Sequence, residues 1–222
     1  MGLGNLFAAA TSGVAAFSER LASVAGNIAN ADTVGYKRTR VDVSTVLGAS
    51  DASRSAVVGS RAVGLGVIAN ARSLNAEQGS ILRSSTSTHV AVAGDGFLVV
   101  SRQPGQVRDL SYTRAGDFIA NAAGDLVNSA GYFLKGAPAA ADGTAAVGAV
   151  ASLETVNIFR TPAGVDRTAL GALVGVEFAR DGVLTARYAN GQSFAIYKIP
   201  LAMFQNPDGL GPVDRTAMQS TA

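Results

Sequence analysis

The strongest constraint in this sequence is a seven-residue period at its start. Leu3, Phe7, Ala10, Val14, Phe17, Leu21, Val24 and Ile28 follow one another in alternating steps of four and three. That spacing is the a/d seam of a helix packed along a partner helix, held for almost four heptads. The only charges inside the stretch, Glu19 and Arg20, are adjacent and lie off the seam. A coiled-coil dimer in solution carries charged flanks, whereas the flanks here are mainly Ala, Ser, Thr, Gly and Asn. The pattern therefore fits a crowded assembly of helices, the alternative being an ordinary amphipathic helix on a globular domain. Gly13 and Gly26 each cost an isolated helix about 1 kcal/mol relative to Ala, so this one is expected to be marginal without partners.

The helical pattern stops near Asn30, where Asn30 and Asp32 suit a helix end and Gly35 suits a positive φ. Lys37-Arg38-Thr39-Arg40 is the one cationic cluster of the chain. It reads as a solvated loop or as a contact to an anionic group on a neighbouring chain.

From about residue 60 the period changes to two. Val90–Ala93, Phe97–Val100, Ser111–Arg114, Asp117–Ala120, Leu126–Asn128 and Tyr132–Leu134 read as short strands with a Gly-containing turn between most neighbours. Val174, Val176 and Phe178 alternate before Asp181-Gly182, and Leu184, Ala186 and Tyr188 before Asn190-Gly191, both strong hairpin turns. Ala195, Tyr197, Ile199 and Leu201 are expected to form the next inward face, while residues 211–222 show no apolar period. Asp142-Gly143 marks a turn inside a Gly-, Ala- and Pro-rich stretch. The expected fold is mainly β, an antiparallel barrel or sandwich body, plus one long heptad-patterned α-helix. Three segments follow: an N-terminal helix and loop over 1–45, a discontinuous β-rich body over 46–136 and 172–222, and a linker over 137–171.

Composition removes most chemistry. Lys and Arg number 18 against 16 Asp and Glu, and charged residues make up 15% of the chain, below the roughly 25% usual for soluble domains. No strongly basic nucleic-acid surface can be built from that balance. There is no cysteine and a single histidine, His89, so thiolate zinc sites, cysteine nucleophiles and most histidine metal sites are excluded. Mean hydropathy is +0.25, yet no run approaches the ~18 apolar residues of a membrane span. The first cation is Arg20, so a cleaved secretory signal with a basic leader is not expected. Gly94-Asp95-Gly96 lacks the third glycine of a dinucleotide loop. Asp95, Asp117, Asp125, Asp142 and Asp181 mostly stand beside glycine in turns, where a carboxylate bonds local backbone rather than a substrate. No enzymatic activity, cofactor or metal is expected.

Ser23–Lys37 closely resembles the N-terminal signature of the bacterial flagellar rod and hook axial proteins. Gly94–Val100, Tyr112–Phe118 and Gly124–Tyr132 match the next signatures of that family in the same order. Asp181–Gln192 with Ile199–Leu210 is similar to the closing segment of its hook members. The likeness covers residues 1–136 and 172–222. Thr88-His89 stands where the family usually shows Leu-Asp, so His89 inherits no role.

The resemblance implies a structural subunit that self-assembles into a helical tube, flexible and torque-transmitting in the hook, stiff in the distal rod. It implies an assembly seam at Leu3, Phe7, Ala10, Val14, Phe17, Leu21, Val24 and Ile28, and a signature loop at Asn27, Asn30, Thr33, Gly35, Tyr36 and Lys37. The implied partners are further copies of the chain, the distal rod, hook-cap and hook–filament junction proteins, and the flagellar type III export apparatus. Neither nucleic acid nor membrane insertion is implied, and the implied location is the hook and basal body outside the cell. Hook members usually insert an outer β-domain mid-chain and close with a second long helix, so this chain reads as a shortened hook subunit with 137–171 at the insertion point. From another class, a secreted β-sandwich adhesin or sugar-binding module shares the β-rich body but leaves the seam unexplained.

Overall fold

The computed structural model describes residues 3–47, 64–106, 109–140, 144–145, 150–161, 165, 167–214 and 216–220. Its chain contacts divide it into two units, one formed by residues 1–33 and 37–75, the other by 34–36 and 76–222. The Asp142-Gly143 turn and the side chain of Leu3 lie outside the described residues.

The first unit contains the expected helix, α1 (Leu3–Ala29), and a hairpin of two long strands, β1 (Thr39–Leu47) and β2 (Gly64–Ser73). At about 1.5 Å per residue the helix is roughly 40 Å long. Its end is built as the sequence indicates: Asn30 donates from Nδ2 to the Gly26 carbonyl at 2.8 Å and from its backbone at 3.2 Å. The hairpin corrects the loop reading of Lys37–Arg40, because Thr39 and Arg40 already belong to β1 and pair with Ser73 and Arg72. The β-branched run Val41, Val43, Thr45 and Val46 carries strand propensity, and Asp42 holds both flanking cations, Arg40 at 2.7 Å and Arg72 at 3.1 Å.

The second unit is one antiparallel sheet of 12 strands, curled about a single main core. Its strands are β3 (Phe97–Ser101), β4 (Leu110–Thr113), β5 (Ile119–Ala120), β6 (Leu126–Val127), β7 (Phe133–Pro138), β8 (Glu154–Thr155), β9 (Leu173–Phe178), β10 (Val183–Tyr188), β11 (Ser193–Lys198), β12 (Leu201–Ala202), β13 (Gly211–Pro212) and β14 (Ala217–Gln219). The main path runs β13-β14-β4-β3-β7-β11-β10-β9. Leu98, Val100, Phe118, Leu126, Leu134, Leu184 and Ile196 fill the centre. The Asp181-Gly182 and Asn190-Gly191 turns join β9, β10 and β11 as expected, with φ of +79° and +83° at the two glycines.

Two sequence expectations, the Val90–Ala93 strand and the inward face at 195–201, are corrected here, and the 172–222 body extends through the tail. Val90–Ala93 is not a ladder strand; Val90 makes a backbone bond to Gly116 at 2.9 Å, and a Cβ on Gly116 would overlap the Val90 carbonyl. The inward face Ala195, Tyr197, Ile199, Leu201 is broken by a bulge. Leu184 pairs with Tyr197 but Thr185 pairs with Ala195, so Ile196 is the extra residue; Ile196 and Tyr197 are both buried and Leu201 is exposed. The tail is structured, with β14 pairing β4 and Ala217 and Met218 buried. Residues 137–171 contribute β8, the short helix α2 (Arg167–Leu170), and buried Leu153, Val156 and Leu170.

The tail is held by Asp214. Its carboxylate accepts from Tyr132 Oη at 2.5 Å and from the backbone of Thr216 and Ala217 at 2.9 and 3.0 Å, with Arg102 at 3.6 Å. Burial pushes the Asp214 carboxyl up, but these hydrogen bonds and the Arg102 charge together pull it below the ordinary value of 3.8. A carboxyl depressed in the folded state adds stability above its unfolded pKa, and that stability is lost as pH falls through the folded value. Asp214→Asn is expected to cost about 1.5–3 kcal/mol at pH 7, as hydrogen bonds to a charged group do. Thermal melts from pH 7 to pH 2 should show the wild type losing stability more steeply than the variant below about pH 4. Parallel acid slopes would contradict this role.

Candidate assembly surface

The helix docks on the hairpin through its small and polar side, not through its apolar seam. Ser12, Ala16, Ser23 and Asn27 recur in steps of four, seven and four on the face opposite the heptad strip. Ala16 is 4% exposed. Ser12 Oγ accepts from the Val67 backbone at 3.2 Å while donating to the Ala9 carbonyl at 2.9 Å. Ser23 Oγ donates to the Thr39 carbonyl at 2.8 Å.

Asn27 makes the most specific contact. Its Nδ2 donates to the Thr39 carbonyl at 2.8 Å and its Oδ1 accepts from the Thr39 N–H at 2.9 Å. A side-chain amide thereby copies the donor–acceptor pair that a neighbouring strand residue would present. The strand phase explains why Thr39 is available. The Arg38 carbonyl accepts from the Leu74 N–H at 2.9 Å, so Arg38, Arg40 and Asp42 turn their backbone groups toward β2. Thr39, Val41, Val43 and Thr45 turn theirs away from it.

Docking through one side leaves the other bare. Phe7, Val14, Phe17, Leu21, Val24 and Ile28 are between 47% and 72% exposed, Ala10 is exposed beside them, and Leu6 widens the strip. Burial of one such large side chain is worth about 1.5–3 kcal/mol, so the strip withholds on the order of 10 kcal/mol from the isolated chain. A row of this size on one helix is a candidate interaction surface.

Of the signature residues, Asn27 clamps β1 and Asn30 closes the helix. Thr33 donates to Asn30 through its backbone at 3.0 Å and through its hydroxyl at 3.3 Å. Gly35 has φ +72° and lies against Ala115, where a Cβ would overlap the Ala115 backbone. Tyr36 and Lys37 are half-buried. The roles of Ser12 and Ser23 escape a sequence reading that follows apolar periodicity alone; their regular spacing opposite the seam was the available signal.

Among the described residues no group of three or more His, Asp and Glu is placed to hold a metal. His89 pairs with the Ser84 hydroxyl at 2.9 Å. Asp181 accepts from the Val183 backbone within its own turn, whereas Asp125 accepts from the Asn157 side chain at 2.8 Å and Asp117 from the Ser129 backbone at 3.4 Å, partners 32 and 12 residues away rather than local turn backbone. No helix is long and apolar enough to cross a membrane among the described residues.

Substitutions at Asn27 test the clamp, and one at Gly35 tests the turn that follows the helix. Asn27→Asp keeps one acceptor but removes the donor to Thr39, and is expected to destabilise the first unit by about 1–3 kcal/mol. Gly35→Ala places a side chain where none fits against Ala115 and at a left-handed φ, and should destabilise the second unit by at least as much. Hydrogen exchange at Thr39 reads the first directly: its amide should lose protection in Asn27→Leu and keep it in Asn27→Asp.

Residues 91–186 match the family described as the flagellar hook protein FlgE/F/G D1 domain, and residues 7–37 the flagella basal body rod protein family. The flagellar hook protein FlgE of Brucella abortus is 40% identical over 158 residues, 71% of this chain and 37% of that protein. The hook protein of Rhizobium meliloti is 36% identical over 66% of this chain and 34% of its own length. The basal-body rod protein FlgG of Agrobacterium fabrum is 28% identical over 96% of this chain and 73% of its own length. The chain spans little more than a third of the length of these two hook proteins. With signatures, helix and β-body all in the family's order, the chain belongs to the flagellar rod and hook axial protein family.

Proposed function

We propose that this chain is a structural, non-enzymatic subunit of the bacterial flagellar hook that joins further copies in a flexible helical tube and passes torque to the filament. The observation that carries the reading is the bare apolar strip on α1, which the hairpin leaves uncovered by docking on the opposite face. A tube requires head-to-tail contacts that never close, and a seam that finds its partner on another copy meets that need. In this reading Leu3 and the other seven seam residues are the assembly contact, Asn27, Asn30 and Thr33 fix the helix that presents it, and Gly35, Tyr36 and Lys37 complete the signature loop. The 137–171 stretch is the point at which family members carry an outer domain, and 1–45 is the axial segment. Its neighbours along the axis are the distal rod, hook-cap and hook–filament junction proteins, reached by type III export outside the cell. The distal rod is the second reading, favoured by the Agrobacterium rod protein that matches along 96% of the chain.

Leu21→Asp separates assembly from folding. Leu21 is exposed, so the monomer's melting midpoint should move by no more than about 0.5 kcal/mol of stability. In assembled copies the carboxylate would be buried without a partner, which costs several kcal/mol at every contact. Cells carrying only this variant should therefore lack the structure. Basal bodies with complete rods and no hook support the hook reading; basal bodies that stop within the rod support the rod reading. Ala16→Asp is the internal control, because Ala16 faces the hairpin and its change should unfold the first unit. Normal hooks built from Leu21→Asp would overturn the assembly role of the seam.

A further inference from the structure

The C-terminal half of α1 and the start of β1 enclose a groove of about 430 Å³. Arg20, Ser23, Val24 and Asn27 line it from the helix, and residues 38–43 from the strand. Two features of this groove select what enters it.

The first is the strand edge. Asn27 occupies the outward backbone groups of Thr39, and Val41, Val43 and Thr45 present theirs along the same side. Among the described residues β1 pairs only with β2, so this edge has no third strand. The second is charge. Three guanidinium groups and one carboxylate line the groove, and that carboxylate, Asp42, is engaged by Arg40 and by Arg72 of β2. A carboxylate-bearing extended strand satisfies both features, with backbone pairing supplying affinity and charge supplying choice.

We infer that β9 of a second copy adds to the outer edge of β1 at Val41–Thr45, with Asn27 ending the ladder at Thr39. β9 is six residues long, stands last in the sheet order, and pairs only with β10 among the described residues. Val174 and Glu177 are exposed on it, and Glu177 supplies a carboxylate for Arg20 and Arg40. Other edges fit less well. β13 has two residues, one of them Pro212, which cannot donate. On β2 the Val67 N–H is already taken by Ser12. Pairing β1 with a second β1 would set Arg20 and Arg40 against their own copies and close as a two-fold dimer, ending growth. A β1-to-β9 contact is heterologous and can repeat without closing. The inference rests on the reading of the chain as a self-assembling subunit.

The test uses a capped, fluorescent peptide of residues 171–179 (GALVGVEFA) titrated into the full chain and followed by anisotropy. Saturable binding is expected. Val43→Pro removes an outward N–H without breaking a bond to β2 and should weaken binding by at least about tenfold. Arg20→Glu, at an exposed helix position, should weaken it by a similar factor, and a Glu177→Lys peptide should restore binding to that variant. No saturable binding, equal binding by both variants, or equal binding of a scrambled peptide would each overturn the inference. Should the peptide fail while Leu21→Asp still abolishes hooks, β1–β9 pairing falls and the proposed function stands.

Discussion

The first unit depends on how α1 meets its hairpin. An amphipathic helix ordinarily spends its apolar face on its own domain, and what remains outward is polar. Here Ser12, Ser23 and Asn27 bond strand backbone, and Ala16 lets the surfaces approach. Each hydrogen bond contributes about 1 kcal/mol net, enough together to hold a helix that the interior glycines Gly13 and Gly26 weaken by a similar total. Polar docking fixes the helix while leaving the seam unspent. Were the docking apolar, the same helix would bury its strip at home and expose only its small and polar side.

Heptad spacing, the helix end, the β-rich body and its hairpin turns were legible in the sequence because each is a local signal. The seam steps, Asn30, Asp181-Gly182 and Asn190-Gly191 all act within a few residues of themselves. What was not legible is non-local. Arg40 looked like loop because its cluster is charged, yet Asp42 pairs with it on the same strand and also holds Arg72 across a ladder that joins residues 30 apart in sequence. The bulge at Ile196 flips the following alternation, and no residue at the bulge announces it. The tail has no period of its own since it is two short strands completed by β4 and by the Asp214 network. Asn27 was recognisable as part of a family signature, but its role as a substitute strand residue needed the register of β1.

The second unit shows how a low-charge, glycine-rich chain keeps a defined sheet. Buried polar groups do part of the work: Asn128 accepts from Tyr132 N–H at 2.9 Å, and Thr113 donates to the Thr216 carbonyl at 2.7 Å. Tyr132 then reaches Asp214 with its hydroxyl, tying the last described strands to the middle of the sheet. Burial raises the Tyr132 hydroxyl pKa, so it stays protonated and able to donate through the range in which Asp214 is charged.

The seam and the groove are unfinished surfaces of different physical kinds. Hydrophobic contact along the seam is non-directional and tolerates small sliding between helices. Backbone pairing at a strand edge advances in discrete residue steps of about 3.3 Å and holds one register until it breaks. A tube that bends as it turns must lengthen on one side and shorten on the other once per revolution. Contacts of the first kind can follow that change continuously, whereas contacts of the second kind resist it. If both are made between copies, the groove fixes which residues meet and the seam absorbs the excursion. Salt should then act on them unequally, because screening weakens the cationic groove while leaving the apolar strip nearly untouched.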